Sequence, residues 1–266
     1  MIFGAIASEP RDERLEIRGG IPLAGQVAVA GAKNAALPIL ACSVLAQGPV
    51  TLEGLPAVGD VQTMLGLLQG LGSRLVMHAC HRTNPAEARS AWWLQVEHAF
   101  MGDGVVDAAL LRQMRAGFCL LGPLLARYGR ATLAMPGGCR IGPRPVHLHL
   151  QGLAALGARF EEGPGCITAT ADRLRGANID LTGPQGSTVT GTINVMAAAT
   201  LAQGTTIIRG AAREPEVVDT VRFLRDLGAN IEGEGTSTLR IVGVDYLGGG
   251  SYRIIPDRVE AATLLI

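Results

Sequence analysis

Lysine is almost missing from this chain. Of its 23 basic residues one is Lys33 and the other 22 are arginine. Aromatic residues are scarce as well, at 4%, so small aliphatic side chains have to fill the core. No sign of charge dominates, because 23 basic residues balance 23 acidic ones in 266. That balance argues against a nucleic-acid binder relying on bulk positive charge and against a polybasic membrane-surface protein. Neither a nucleic acid nor a membrane is expected as a partner. Long hydrophobic runs are lacking: the most apolar stretch, residues 35–46, is too short to span a bilayer and contains Pro38. Residues 2–7 are apolar, but no basic flank precedes them and Arg11-Asp12-Glu13-Arg14 follows, so no signal peptide is read and a cytoplasmic location is expected. The cysteines, Cys42, Cys80, Cys119, Cys139 and Cys166, are odd in number, widely spaced and without a CxxC. Neither a disulfide framework nor a zinc site is expected from them.

What is present is glycine (36), proline (14) and 48% hydrophobic residues. That content is too apolar for a disordered chain and suits many short elements joined by tight turns. One pattern recurs three times: an Ala-rich helix ended by Gly, a short strand, a Pro-containing loop, a second helix ending in Leu-Gly, then more strand. In the first copy the helices are expected at 34–46 and 60–71 around strand 50–52. In the second they fall at 110–128 and 145–156 around strand 131–135. In the third the first helix falls at 192–202, followed by strand 205–208 and a helix that ends at Leu227. Leu71-Gly72, Leu156-Gly157 and Leu227-Gly228 are the stops, with Gly taking the left-handed conformation after the last turn. Strand pairs are expected at 73–77 with 92–96, 159–160 with 166–169, and 230–232 with 238–241. A fourth unit opens with a strand at 251–254 and a helix after Pro256-Asp257. The chain ends at Ile266 in mid-helix on an apolar residue, which reads as a C-terminal truncation. The fold class is α/β, built of three βα-type repeats that share one core.

Four places are candidates to carry chemistry. Pro136-Gly137-Gly138-Cys139-Arg140-Ile141-Gly142-Pro143-Arg144-Pro145-Val146 is a loop with a thiol between two arginines. Nearby cations depress a thiol pKa, and Pro145 opens a helix, where anions are favoured. The competing reading is a Gly-Pro turn with an incidental cysteine. Lys33, in Gly31-Ala32-Lys33-Asn34, sits where a helix starts, with Asn34 as its capping residue. A cation there opposes the helix dipole unless an anion joins it; a solvated lysine is the alternative. Arg115 lies in an apolar helix, where it either snorkels to solvent or points at an anion. Gly183-Pro184-Gln185-Gly186-Ser187-Thr188-Val189-Thr190 looks like a generic phosphate-contacting loop. His147 and His149, two apart, suit neither face of a helix for a shared metal and read as helix-surface or ligand-side residues.

These residues resemble a family. Gly31-Ala32-Lys33-Asn34-Ala35-Ala36-Leu37-Pro38-Ile39-Leu40, the Cys139 loop and Ala211-Ala212-Arg213-Glu214-Pro215-Glu216-Val217-Val218-Asp219 are similar to motifs of the UDP-N-acetylglucosamine 1-carboxyvinyltransferases, enolpyruvyl transferases of peptidoglycan synthesis. The likeness runs from about Leu15 to Ile266. It implies transfer of the enolpyruvyl group of phosphoenolpyruvate to the 3-hydroxyl of UDP-N-acetylglucosamine with release of phosphate, without cofactor or metal. It implies a domain of three pseudo-symmetric repeats, helices inside sheets, over residues 33–243. Residues 1–32 and 244–266 would then belong to an incomplete second domain. By resemblance Cys139 is the proton donor, and Lys33 and Asn34 contact phosphoenolpyruvate. Arg115, Arg144, Pro145, Val146, His147 and Leu148 serve UDP-N-acetylglucosamine, and Ser187, Thr188 and Val189 its diphosphate. The resemblance also makes the protein a fosfomycin target. The chain departs from the family at His147, where members commonly carry Asp, and at Gly186, where some carry Lys. The family's base Asp falls beyond Ile266. Two other readings stay open: the shikimate-pathway sister family, which lacks the Cys loop, and a domain that binds a nucleotide sugar without turnover. Oligomeric state is not read from the sequence.

Overall fold

The computed structural model describes residues 16, 18–20, 22, 24–79, 92–98, 103–135, 146–184 and 186–266. The first repeat holds α1 (Lys33–Ser43), β1 (Val50–Glu53), α2 (Gly59–Gly70), β2 (Arg74–Ala79) and β3 (Trp92–Glu97). The second holds α3 (Ala108–Gln113), a 3-10 segment (Arg115–Leu120), α4 (Leu121–Tyr128), β4 (Arg130–Ala134), α5 (His147–Ala155), β5 (Arg159–Gly163) and β6 (Cys166–Thr170). The third holds β7 (Asn178–Asp180), α6 (Val189–Ala199), β8 (Thr205–Arg209), α7 (Pro215–Asp226), β9 (Asn230–Glu232) and β10 (Thr238–Val242), and is followed by β11 (Gly250–Arg253) and α8 (Arg258–Leu265).

The repeat is visible in the sheets. Their orders are β11-β1-β3-β2, β7-β8-β10-β9 and β4-β6-β5. In the first two an entering strand lies parallel to the strand after the inner helix, β11 on β1 and β7 on β8, and the other pairs are antiparallel. In the third sheet the corresponding parallel pairing among the described residues is a bridge, Val105 to Thr132. The strand expected at 251–254 is thus β11, and the unit it opens shares a sheet with the first repeat. The three Leu-Gly stops end α2, α5 and α7 at Gly72, Gly157 and Gly228, whose φ angles are +94°, +102° and +107°. That region is costly for any residue with a Cβ.

The inner helices are α1, α4 and α6, one in each repeat. Every residue of α1 from Ala35 to Ser43 and of α6 from Gly191 to Ala199 is buried, as are Leu121 to Leu125 of α4. A helix enclosed on all sides must be apolar on all sides, which explains their alanine content. α7 is amphipathic instead, burying Val217, Val221, Phe223 and Leu224 while Arg222 and Asp226 face solvent. The continuous helix expected over 110–128 is broken. Met114 is extended at φ −143°, ψ 120°, and the chain resumes as the 3-10 segment before α4. Pro123 accounts for the late start: it lacks an N–H and is tolerated in the first turn of α4, where that N–H has no helical partner. Arg115 therefore opens an element rather than lying inside one.

Candidate active site

The three inner elements point the same way. Leu45 and Gln47 just past α1, Leu125 to Gly129 at the end of α4, and Leu201 just past α6 line one cavity of about 520 Å³. α1 and α6 both touch the 3-10 segment, α4 packs on α6, and α1 meets α6. With their C-terminal ends gathered and their axes in contact, their starts gather at the opposite pole, about 16 Å away for the 11 residues of α1. The starts are Lys33 on α1, Arg115 on the 3-10 segment and Val189 on α6. Each start carries the positive end of its dipole, an arrangement that favours anions.

Lys33 reaches Asp60 of α2, with Nζ 2.9 Å from Oδ2 and both side chains about two-fifths exposed. An exposed pair of this kind contributes about 0–1 kcal/mol and exchanges readily for another anion. The helix begins at Lys33, not Asn34: Ala32 holds the cap position without a side-chain bond, and Asn34 is an exposed first-turn residue. The cap comes from far along the chain. Asp257 Oδ2 accepts the Lys33 N–H at 3.3 Å, while its Oδ1 accepts from Val259 and Glu260 at the start of α8.

α6 is capped by Thr188, whose Oγ1 accepts from the Gly191 N–H at 3.2 Å. Ser187 is exposed, and Thr188 and Val189 are half-buried. Ser187 also lines an open depression of about 400 Å³ with Arg213, Glu214 and Gly235. Arg213 is not assigned to the site from the sequence; its position just before Pro215, the first residue of α7, is the signal for a cation beside a helix start.

On α5, Val146 and Leu148 are buried and His147 is exposed. His149, read from the sequence as a surface or ligand-side residue, is buried and bonded to α6 through Thr190 and Asn194. Burial and the positive charge of Arg115 lower its pKa to about 4, with His147 acting in the same direction. Arg115, half-buried, thus shares a neighbourhood with α5 and the start of α6. Cys139, Arg144 and Pro145 lie outside the described residues. On the near side of that segment Met135 is held by its N–H on the Gly165 carbonyl at 3.0 Å. Cys42 and Cys119 are buried, as their apolar setting implied, and burial pushes the Cys119 thiol up to about 12. Cys166 is only partly buried, and Cys80 lies outside the described residues.

A family described as EPSP synthase (3-phosphoshikimate 1-carboxyvinyltransferase) matches residues 17–266. The chain belongs to this carboxyvinyltransferase family. Within it, the chain is 45% identical over 254 residues to a UDP-N-acetylglucosamine 1-carboxyvinyltransferase of Halorhodospira halophila, covering 96% of this chain and 57% of the relative. It is 46% identical over 255 residues to the protein of that name in Coxiella burnetii, covering 96% and 56%. Among solved structures it is similar to the enolpyruvyl transferase NikO from Streptomyces tendae, at a TM-score of 0.76 and 25% identity, covering 94% of this chain and 56% of that one. An EPSP synthase from Acinetobacter baumannii shares the fold at a TM-score of 0.66 and 19% identity, covering 90% and 51%. The chain thus spans a little over half the length of these carboxyvinyltransferases.

Proposed function

We propose that this chain is part of a UDP-N-acetylglucosamine 1-carboxyvinyltransferase, which moves the enolpyruvyl group of phosphoenolpyruvate to the sugar 3-hydroxyl and releases phosphate in peptidoglycan synthesis in the cytoplasm. The observation that carries this reading is the 45% identity over 96% of the chain to a relative of that name. The gathered helix starts bearing Lys33 and Arg115 support it, because both substrates are polyanions. The shikimate-pathway reading is disfavoured by the names of the relatives and by the Cys139 loop. We assign the three-repeat domain to residues 33–243, with 1–32 and 244–266 leading into a second domain.

The chemistry assigned to the residues is an addition followed by an elimination. The Cys139 thiol gives its proton to the methylene carbon of phosphoenolpyruvate while the sugar 3-oxygen, losing its own proton to a base, bonds to the carbon bearing the phosphate. Loss of a methyl proton then expels phosphate and regenerates the double bond, now as an enol ether. A proton placed at carbon needs an acid at that position, and the departing phosphate needs cations. Lys33 and Asn34 are assigned to phosphoenolpyruvate. Arg115, Arg144, Pro145, Val146, His147 and Leu148 are assigned to the nucleotide sugar, and Ser187, Thr188 and Val189 to its diphosphate. The test is titration calorimetry of the chain with UDP-N-acetylglucosamine, followed by fosfomycin treatment and peptide mass mapping. Binding and a fosfomycin adduct on Cys139 are expected. Preference for shikimate 3-phosphate, or no adduct on a chain that binds the sugar, overturns the assignment.

A further inference from the structure

One buried polar cluster joins the three elements that carry the proposed site. The Asn194 side chain, fully buried on α6, accepts the Gly122 N–H of α4 on Oδ1 at 2.5 Å. Its Nδ2 donates to the Phe118 carbonyl of the 3-10 segment at 2.9 Å and lies 3.0 Å from His149 Nδ1. The two backbone partners fix which way round the amide sits, since a flipped amide would face N–H with N–H and C=O with C=O. Nδ2 is therefore a donor toward His149, and His149 Nδ1 must accept. The ring proton is then on Nε2, which lies 3.2 Å from Thr190 Oγ1 in the first turn of α6 and donates to it. A second proton on the ring would set N–H against N–H at Asn194. Among the described residues, the groups facing the ring are Arg115 from the 3-10 segment, His147 from its own helix, Thr190 and Asn194 from α6, and the edge-on Phe118 ring at 5.4 Å. None of them is an anion that would hold an imidazolium.

We infer that His149 is a positioning residue: as a neutral imidazole bonded to Thr190 and Asn194, it sets the spacing between the Arg115 segment and the Thr188–Val189 start of α6. This rests on the functional reading above, in which those two places receive anionic groups of one nucleotide sugar. One bond reaches the start of α6 directly. The other acts through Asn194 on the backbone at Phe118 and Gly122, three and seven residues beyond Arg115. A binding pole made of separate helix starts recognises a diphosphate only if their separation is fixed, and this cluster is a covalent-free tie between two of them. Protonation of the ring breaks the tie at Asn194.

The test pairs hydrogen exchange with binding, on the chain and three variants. His149→Asn keeps an acceptor at the Nδ1 position and loses the donor to Thr190. His149→Gln keeps a donor near the Nε2 position and loses the acceptor. His149→Phe keeps the ring shape and loses both. Amide exchange is read without ligand on segments 115–122 and 186–193, with β8 and β10 as internal references. UDP-N-acetylglucosamine affinity is read by calorimetry. His149→Phe is expected to exchange at least tenfold faster in both segments, with the references unchanged, and to bind the sugar at least tenfold more weakly. His149→Asn should loosen mainly 186–193 and His149→Gln mainly 115–122. Lowering the pH of the unaltered chain from 7 to 4 should loosen 115–122, so the tie is testable even if the Phe variant does not fold. Unchanged exchange in both segments overturns the inference, as does looser exchange with sugar affinity intact. Looser exchange in a chain whose parent does not bind the sugar keeps the tie and overturns the functional reading instead.

Discussion

Replacing Gly122 by alanine tests the closest approach in the core. A Cβ at Gly122 would sit 2.1 Å from the Asn194 carbonyl oxygen and 2.6 Å from its Oδ1. The nearer atom is backbone of a fully buried helix, so it cannot swing aside, and α4 and α6 must separate. Overpacking of this kind costs about 1–3 kcal/mol. The Gly122 N–H bond to Asn194 is strained with it, which adds about 1–3 kcal/mol for a buried polar pair left unsatisfied. Alanine returns about 1 kcal/mol through helix propensity. The net expectation is a loss of about 3 kcal/mol. Two companions calibrate it. At Gly152 of α5 the nearest atom is a side-chain methyl, Val195 Cγ2 at 2.4 Å, so Gly152→Ala should cost less, about 0–2 kcal/mol after the same return. At Gly59, opening α2, nothing lies within 4 Å, and Gly59→Ala should change stability by no more than about 0.5 kcal/mol. Urea unfolding of the three variants at pH 7 measures the order. If Gly122→Ala falls within about 0.5 kcal/mol of the parent, or Gly152→Ala is the costlier change, α4 and α6 are not held at backbone contact and the reasoning fails.

Asp257→Ala should remove the caps of α1 and α8 together, loosening the first-turn amides of both in hydrogen exchange at a cost of about 0.5–2 kcal/mol; unchanged exchange at residues 33–36 would refute the cap across 224 residues. Acid should destabilise the chain before its carboxylates titrate. Burial lowers the pKa of His98 to about 3 and of His149 to about 4, with Arg127 and Arg115 respectively adding to it. Between those values and about 6.5 the unfolded chain binds protons that the folded chain does not, so stability rises with pH by about 1.4 kcal/mol per unit for each histidine. Asp219, whose carboxyl is raised by burial, acts in the opposite sense, so the quantity to measure is the difference in slope between the parent and His149→Gln from pH 4.5 to 6. Equal slopes would show that His149 is not held neutral.

What the sequence made legible was local. The Leu-Gly stops, the β-hairpins and the Ala-rich inner helices follow from turn chemistry and periodicity, and the structure has them within a few residues. What it hid depends on contacts between distant segments. Apolar spacing continues across 110–128, so the break at Met114 was visible only in Pro123 and Gly117, residues that a long helix tolerates poorly. His147 and His149 look alike in sequence, yet they lie on opposite sides of α5, one exposed and the other bonded to α6. Asn34 has the chemistry of a cap, but Asp257 supplies it from the other end of the chain. β7 has only three residues, Asn178–Asp180, and gave no periodic signal.

The two poles of the inner helices are treated differently, and the difference gives the fold its direction. At the C-terminal pole the exposed carbonyls are met by the chain itself. Arg127 donates to Val44 and Ala46 beyond the end of α1, the latter at 2.6 Å, and to the His98 carbonyl at 2.9 Å. His98 is bonded in turn to Ser43 and Ser73. A guanidinium with three carbonyls complements the negative ends of the dipoles. At the N-terminal pole the pattern reverses only in part. α1 meets the Asp257 carboxylate, but α6 is capped by the neutral hydroxyl of Thr188, and the 3-10 segment begins with a cation of its own, Arg115. A second cation, Lys33, stands at the start of α1. Like charges at helix starts are unfavourable in the chain alone and become favourable once an anion joins them. The three-fold repeat aligns the dipoles, and at this pole acidic side chains from other segments, Asp60 on the Lys33 ammonium and Asp257 on its N–H, meet the start of α1.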